Sequence, residues 1–411
     1  MRNIAIVGAG QSGLQLALGL LAAGYRVTLM TNRDAESLRR GRVMSSQCMF
    51  HSALESERCS QLNFWEEQAP PIEGIGLSIA DPQGAGAAAL SWRAGLDSYA
   101  QSVDQRLKMP GWMAAFEDGG GRLVIADAGV AELERLSAEH DLVLLAAGKG
   151  EVVKRFAVDR ARSLFDRPQR ALALTYVHGM RPMDAGGQIN FNLIPGVGEY
   201  FTFPALTLSG PCDIMVFEGL PGGEMDCWQG LDTPERHLRQ SLAILRRWLP
   251  WEAERCGEVE LTDAMGTLAG GFTPCVRQPV LTLPSGHRVL GMADALVLND
   301  PITGQGSNSA AKCAAIYLQR ILAHRDAAFD SRWMEETFDD YWHYARHVVS
   351  WTNSLLQPPQ PHVMALLGSA AQAEPLAGKI VNGFDDPGRF APWWYQPEAA
   401  HRLIREHDPA G

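Results

Sequence analysis

Asn3-Ile-Ala-Ile-Val-Gly-Ala-Gly-Gln-Ser-Gly13 decides the reading of this chain. The apolar residues Ile4 to Val7 run straight into Gly8-x-Gly10-x-x-Gly13, and Leu14 to Ala23 continue as an apolar, helix-forming segment. Strand, tight turn and helix are the expected order. Gly8 permits the turn, Gly10 lets a pyrophosphate come close to the backbone, and Gly13 lets the helix pack on the strand. The helix N-terminus adds free N–H groups and the positive end of a dipole. Gly8, Ala9, Gly10, Gln11, Ser12 and Gly13 are therefore candidates to cradle a dinucleotide. A doubly wound domain whose glycines serve packing alone would show the same spacing. A second strand is expected over Val27-Thr-Leu-Met30, at the usual βαβ distance. A carboxylate commonly follows such a strand and grips a ribose, but here Thr31-Asn32-Arg33 follow and Asp34 arrives late. Asn32 can bond a ribose hydroxyl instead, and Arg33 can reach a phosphate.

A chain of 411 residues has room for two or three domains. Net charge is −11, from 36 basic and 47 acidic residues, which gives no basic stripe and argues against nucleic acid as a partner. No apolar run is long enough to span a bilayer, and Met1-Arg2 leading directly into a strand is not a signal peptide. Seven cysteines, none in a CxxC pair, suggest neither a disulfide scaffold nor a zinc ribbon. A reducing cytoplasm is the expected compartment.

After the βαβ unit comes Arg39-Arg-Gly-Arg42, then Val43-Met-Ser-Ser-Gln-Cys-Met-Phe-His51. This reads either as a bridge from a cofactor phosphate to an organic pocket or as a solvated loop entering a core strand. Pro70-Pro71 and residues 84–89 mark loops, with a short strand over Gly74 to Ile79 between them. Asp104-Gln-Arg106 leads a helix, and Gly119 to Ile125 is turn then strand. Asp141-Leu-Val-Leu-Leu-Ala-Ala-Gly148 reads as a third parallel strand ending beneath a cofactor, or equally as a plain core strand. From Arg170 to Glu260, short β-rich runs separated by glycine and proline turns suggest an inserted, largely antiparallel sheet, followed by a helix near Thr233 to Trp248. Helical patterning resumes at Trp333 and stops at Pro358-Pro359. His343 and His347 share a helix face there but lack a third ligand, so no metal site is expected.

The second informative stretch is His287-Arg-Val-Leu-Gly-Met-Ala-Asp294 followed by Val297-Leu-Asn-Asp-Pro-Ile-Thr-Gly-Gln-Gly306, with a small-residue helix from Ala310. A strand delivers Asp294, which can accept bonds from the hydroxyls of a ribityl chain. The turn Pro301, Gly304, Gln305, Gly306 and the helix dipole behind it can stabilise negative charge on a reduced ring. A βα turn with glycine chosen for its backbone would look the same.

Taken together, Gly8 to Gly13, Arg42, Asp294 and Asp300-Pro-Ile-Thr-Gly-Gln-Gly306 resemble the flavoprotein monooxygenases that bind FAD with one Rossmann fold. More narrowly, the chain resembles the epoxidase component of two-component styrene and indole monooxygenases; Trp351-Thr-Asn353 and the overall length match as well. The resemblance implies an α/β fold of the single-component aromatic hydroxylase kind, with a Rossmann-type FAD-binding domain, an inserted, mostly antiparallel β-sheet substrate domain and C-terminal helices. The expected division is residues 1–60, 100–165 and 276–330 for FAD, 61–99 and 166–275 for substrate, and 331–411 as a helical region. It further implies reduced, diffusible FAD supplied by a separate NADH-dependent flavin reductase that docks transiently. A homodimer is compatible with it. Arg42 and Arg106 would contact the flavin or its phosphates. Asn32 departs from the family, which has an acid there.

Two subgroups of that family differ at pocket positions. The styrene type carries asparagine, valine and histidine after the arginine, then tyrosine, histidine and serine. The indole type carries serine, glutamine and methionine, then a small aliphatic residue, isoleucine and alanine. Here the residues are Ser45, Gln47, Met49, Ile72, Ile75 and Ala100, all on the indole side. Indole is a flat bicycle with one N–H donor, which Gln47 would accept, while Met49, Ile72 and Ile75 offer apolar surface. The implied reaction is transfer of oxygen from a flavin C4a-hydroperoxide to the indole C2=C3 bond, giving indoxyl and then indigo, with styrene-type alkenes and aryl sulfides as further substrates. No side chain acts as acid or base. Competing readings are a styrene monooxygenase proper, a flavin-dependent halogenase, for which a WxWxIP segment is missing, and a non-catalytic dinucleotide-fold binding protein.

Overall fold

Ile4 to Val7 are apolar without alternation because the strand they form, Asn3–Val7, is covered on both faces. It lies at the centre of a six-stranded sheet in the computed structural model, which describes residues 2–81, 86–148, 150–183 and 186–407. Arg26–Thr31 pairs with it in parallel on one side and Leu142–Leu145 on the other. Arg122–Ile125 extends the sheet beyond the former and Arg288–Gly291 beyond the latter, both in parallel, and Val280–Thr282 closes that edge antiparallel. The order of strands thus reverses at Asn3–Val7, which opens a crevice at the carboxyl edge. The helices Gln11–Ala22 and Gly306–His324 pack against each other so closely that a Cβ on Gly19 would come within 2.6 Å of Leu318 Cδ2.

The second sheet is built largely from the 171–219 region and is mostly antiparallel, with one parallel pairing between Ile72–Ala80 and Gln188–Ile194. Alternation along Gly210–Gly219 gives it two apolar faces. Ile214 and Val216 join Phe201, Phe203, Ile72, Ile75 and Ala100 against the C-terminal helices, while Met215 and Phe217 pack beneath the helix Pro234–Trp248. The inserted antiparallel sheet and the Rossmann-type sheet expected from sequence are both present.

Several boundaries differ from expectation. Ala88–Ser102 is a fifteen-residue strand where the sequence suggested only a loop around 84–89, of which 84 and 85 lie outside the described residues. The helix expected from Ala310 begins at Gly306. Ser331–Leu355 forms one helix because Asp330 caps it, Oδ1 accepting from Trp333 N–H at 2.9 Å, and Pro358-Pro359 follow its end. All seven cysteines are free thiols. Among the described residues, no helix is long and apolar enough to cross a membrane.

Candidate functional site

At the carboxyl edge of the first sheet the chain leaves each strand with its next residue still in register: Gly8 N–H donates to Met30 O, Ala146 N–H to Val7 O and Met292 N–H to Leu145 O. These bonds bring the Gly8–Gly13 turn, Ala146 to Gly148 and the Ala293–Ala295 turn to one edge. Gly8 has φ +117°, and a Cβ there would sit 2.7 Å from Ala147 N; one on Gly13 would sit 1.9 Å from Gly8 O. Gly10 differs, because a Cβ there meets nothing within 4 Å. The helix Gln11–Ala22 has no side-chain cap, and its first internal bond is Leu14 N–H to Gly10 O, so the N–H groups of Gln11, Ser12 and Gly13 precede it. The Gln11 side chain turns inward to Glu57, leaving the backbone as its contribution to the edge.

Asp294 lies exposed in the Ala293–Ala295 turn, which is held open by Ala293 at φ +49°, and it packs so closely on Gly148 that a Cβ on that glycine would stand 2.7 Å from Asp294 Cβ. Pro301–Thr303 forms a single 3-10 turn capped by Asp300, after which Gly304 adopts φ +64°. The helix Gly306–His324 then starts without a side-chain cap, and Cβ atoms on Gly304 or Gly306 would enter open space. Two uncapped helix N-termini, two glycine-lined openings and an exposed carboxylate fit a pyrophosphate with a hydroxylated chain and an electron-accepting ring. The strand Arg26–Thr31 ends in exposed Asn32 and Arg33; Asp34 is late because it caps the helix Ala35–Arg40, accepting from Ser37 N–H at 2.7 Å.

The basic candidates separate. Arg42 is exposed and uses Nη1 on Thr267, while Arg33 Nη2 lies 2.9 Å from Met44 Sδ. Arg106 does not reach the cofactor edge as a free cation. It is 1% exposed, with Nε on Asp104, Nη1 on Asp263 and Gly41 O, and Nη2 on Thr207 and Asp263. With all its donors committed, it clamps the helix Gln105–Asp118 to the loop at Asp263.

The pocket positions separate too. Ile72 and Ala100 are cross-strand partners and, with Ile75, belong to the apolar cluster of Cys48, Phe50, Phe201 and Phe203. Met49 follows Cys48 in the strand and points to the opposite face, where it packs with Ala53, Leu54 and Ala311 and touches Lys108 Nζ at 3.2 Å. The cavity it borders is about 20 Å³, room for one water and too small for a bicycle. Gln47, expected to accept an indole N–H, accepts the Ser45 hydroxyl at 2.8 Å and donates to Tyr176 Oη at 3.0 Å. Tyr176 in turn donates to Ser45 O, and Gln105 donates to Ser45 Oγ. Burial pushes the Tyr176 hydroxyl well above its ordinary range, so it stays a donor.

Sequence reasoning missed Tyr176, Gln105 and above all Asn308. In the first turn of the second helix, Asn308 accepts from Phe50 N–H at 2.8 Å and donates to Cys48 O at 2.9 Å and Gly304 O at 3.0 Å. One amide joins the Cys48–Phe50 segment to the turn at Gly304. Phe384, packed on Phe50, Phe191 and Trp351, lines the same junction, and Gln305 Nε2 donates to its carbonyl.

With this geometry in hand, known proteins can be compared. The family described as "Styrene monooxygenase A putative substrate binding domain" matches residues 148–255. Styrene monooxygenase StyA of Pseudomonas fluorescens is 28% identical, covering 99% of both chains. The matches support the styrene monooxygenase family. The fold is shared with a flavoprotein/dehydrogenase of Cytophaga hutchinsonii, at TM-score 0.70, 12% identity and 99% coverage of both chains. It is shared as well with the flavin-dependent brominase Bmp2, at TM-score 0.61, 11% identity and full coverage of both. Fold likeness therefore spans halogenases and other flavoproteins, whereas full-length sequence likeness points to a flavin-dependent monooxygenase with FAD as cofactor.

Proposed function

We propose that this chain is the epoxidase component of a two-component monooxygenase that takes indole as substrate, oxidising its C2=C3 bond towards indoxyl and indigo. Styrene-type alkenes and aryl sulfides are further substrates on this reading. The observation that carries it is Asn308, which couples the turn of the cofactor edge to the strap beside Ile72, Ile75 and Ala100.

Reduced FAD, when bound, would supply the two electrons that activate O2, one atom of which goes to the substrate and the other to water. The chain's own residues bind, orient and keep the site dry. Backbone N–H groups of Gln11 to Gly13 hold the pyrophosphate, Asn32 and Arg33 flank the adenosine end, and Asp294 accepts from the ribityl hydroxyls. The helix dipole behind Pro301 to Gly306 favours negative charge on the reduced ring. Phe50, Phe384 and Trp351 exclude water from the wall. Gln47 Oε1 keeps a second lone pair for the indole N–H beside the Ser45 hydroxyl. Arg42, with Nε and Nη2 uncommitted among the described residues, is available to a phosphate or ring oxygen. On this reading residues 1–60, 100–165 and 276–330 form the FAD-binding domain, 61–99 and 166–275 the substrate-binding domain and 331–411 a C-terminal helical region; the chain is cytoplasmic, and a NADH-dependent reductase delivers its reduced FAD.

A styrene monooxygenase proper is the second reading, favoured by the full-length relative. The test is turnover with chemically reduced FAD, oxygen and catalase on indole and on styrene separately. Faster consumption of indole, with blue product in cells fed tryptophan, supports the proposal. Faster consumption of styrene assigns the other type, and turnover that requires chloride or bromide sinks the epoxidase reading.

A further inference from the structure

Around Asp300, at the start of the Asp300–Gly306 turn, are two buried carboxyls, a partly buried one and a single guanidinium. Arg170, 5% exposed, forms two bonds to Glu199, at 2.6 and 2.9 Å. Glu199 stands opposite Glu218 in the ladder between Gly198–Thr207 and Gly210–Gly219. Glu218 is 0% exposed and neither of its carboxyl oxygens has a donor; Asp300 is 2% exposed, with Oδ1 accepting from Ile302 N–H at 3.2 Å and Oδ2 without a donor. Arg170, Glu199, Glu218 and Asp300 are the charged and titratable groups that face one another here, from three strands' ends and the turn. With the one cation already spoken for, two further buried anions would be left uncompensated, and proteins neutralise such groups.

We propose that Glu218 is a positioning residue for the turn: its protonated carboxyl donates to Asp300 and so fastens the substrate sheet to Pro301–Gly306. The role toward FAD rests on the reading that this turn faces the flavin. Burial first, and then the neighbouring Asp300 charge, pushes Glu218 well above the ordinary carboxyl range; burial also raises Asp300, while the bonds from Glu218 and from Ile302 N–H pull it back. Asp300 Oδ1 already accepts from Ile302 N–H, whereas neither Glu218 oxygen has a donor, so the shared proton is assigned to Glu218. Asp300, freed from supplying it, keeps Oδ1 as the cap that shapes the turn. Because the folded value is raised, the folded chain holds a proton that the unfolded chain has released. The resulting stability is complete below the unfolded value and is lost as pH rises to the folded one, by up to tenfold in the unfolding constant per pH unit.

Infrared difference spectra at neutral pH, urea unfolding from about pH 5 to pH 9, and FAD titration test this on the full chain. The expected result is the C=O band of a protonated buried carboxylic acid in the wild type, absent in Glu218→Gln and shifted in Asp300→Asn. Unfolding midpoints of the wild type should fall relative to Glu218→Gln as pH rises, since the amide donates to Asp300 without titrating. Glu218→Leu should bind FAD roughly tenfold more weakly, and Glu218→Gln should restore binding, as expected for one hydrogen bond to a charged group. A wild type lacking the band, or with midpoints parallel to those of Glu218→Gln, overturns the shared proton even if FAD binds. A wild type with the band but no affinity for FAD overturns the role toward the cofactor and the functional reading beneath it, and leaves the proton in place.

Discussion

Gly10→Ala and Gly13→Ala are the same chemical change three residues apart, and the structure assigns them opposite consequences. At Gly10 the backbone has φ −92° and ψ −171°, open to any residue, and the added methyl meets nothing within 4 Å. Losing glycine there should stabilise the cofactor-free chain by about 0.4–1 kcal/mol through its unfolded state. The methyl nevertheless occupies the approach to the Gln11–Gly13 N–H groups. Each charge-assisted bond lost is worth about 1.5–3 kcal/mol, so FAD should bind roughly 10- to 150-fold more weakly. At Gly13 the methyl would stand 1.9 Å from Gly8 O and 3.1 Å from Gly8 C, both backbone atoms. Helix and strand must part, which costs about 1–3 kcal/mol or more. Urea unfolding of the cofactor-free chain and fluorescence titration with FAD separate the two. A Gly10→Ala variant that binds FAD as tightly as the wild type refutes the cradle, and one that unfolds as early as Gly13→Ala refutes the geometry behind it.

Arg106→Met strips buried Asp104 of its cation and should cost about 3–5 kcal/mol in urea unfolding, with FAD affinity of the folded fraction unchanged. Gln47→Leu should lower kcat/KM for indole roughly tenfold relative to styrene, the worth of one hydrogen bond; an equal loss on both substrates removes Gln47 from recognition. Asp213, raised by burial to about 6 against the opposing charges of Arg255 and His178, holds a proton in the folded chain that the unfolded chain releases nearer its ordinary 3.8. Wild-type stability should therefore fall by up to about 3 kcal/mol from the lower value to the higher, and Asp213→Asn should flatten that slope in urea midpoints.

The strand, turn and helix around Gly8 to Gly13 could be read from sequence because their constraints are local: a positive φ at Gly8 and a backbone contact at Gly13 each demand glycine at a fixed spacing. The helix caps, equally local, went unread: Asp330 and Thr233 accept from N–H groups only three residues on. Arg106 was misread because its carboxylate Asp263 is 157 positions away, and nothing near either residue announces the pair. Ser45, Gln47 and Met49, spaced by two, suggest one strand face. Gln47 at φ +24° breaks the alternation, and the strand proper is only Cys48–Met49. Ala88–Ser102 escaped notice although Leu90, Trp92, Ala94 and Leu96 alternate along it with exposed residues. Asn308 was invisible as a clamp, since its three partners lie on two separate segments.

That clamp makes two occupancies into one thermodynamic cycle. If a filled cradle steadies Gly304, Asn308 passes the gain to Cys48 and Phe50, and an aromatic guest is held more tightly. The converse is then obligatory: the guest must tighten the nucleotide by the same factor. A chain of this design would bind FAD most tightly when there is something for it to oxidise.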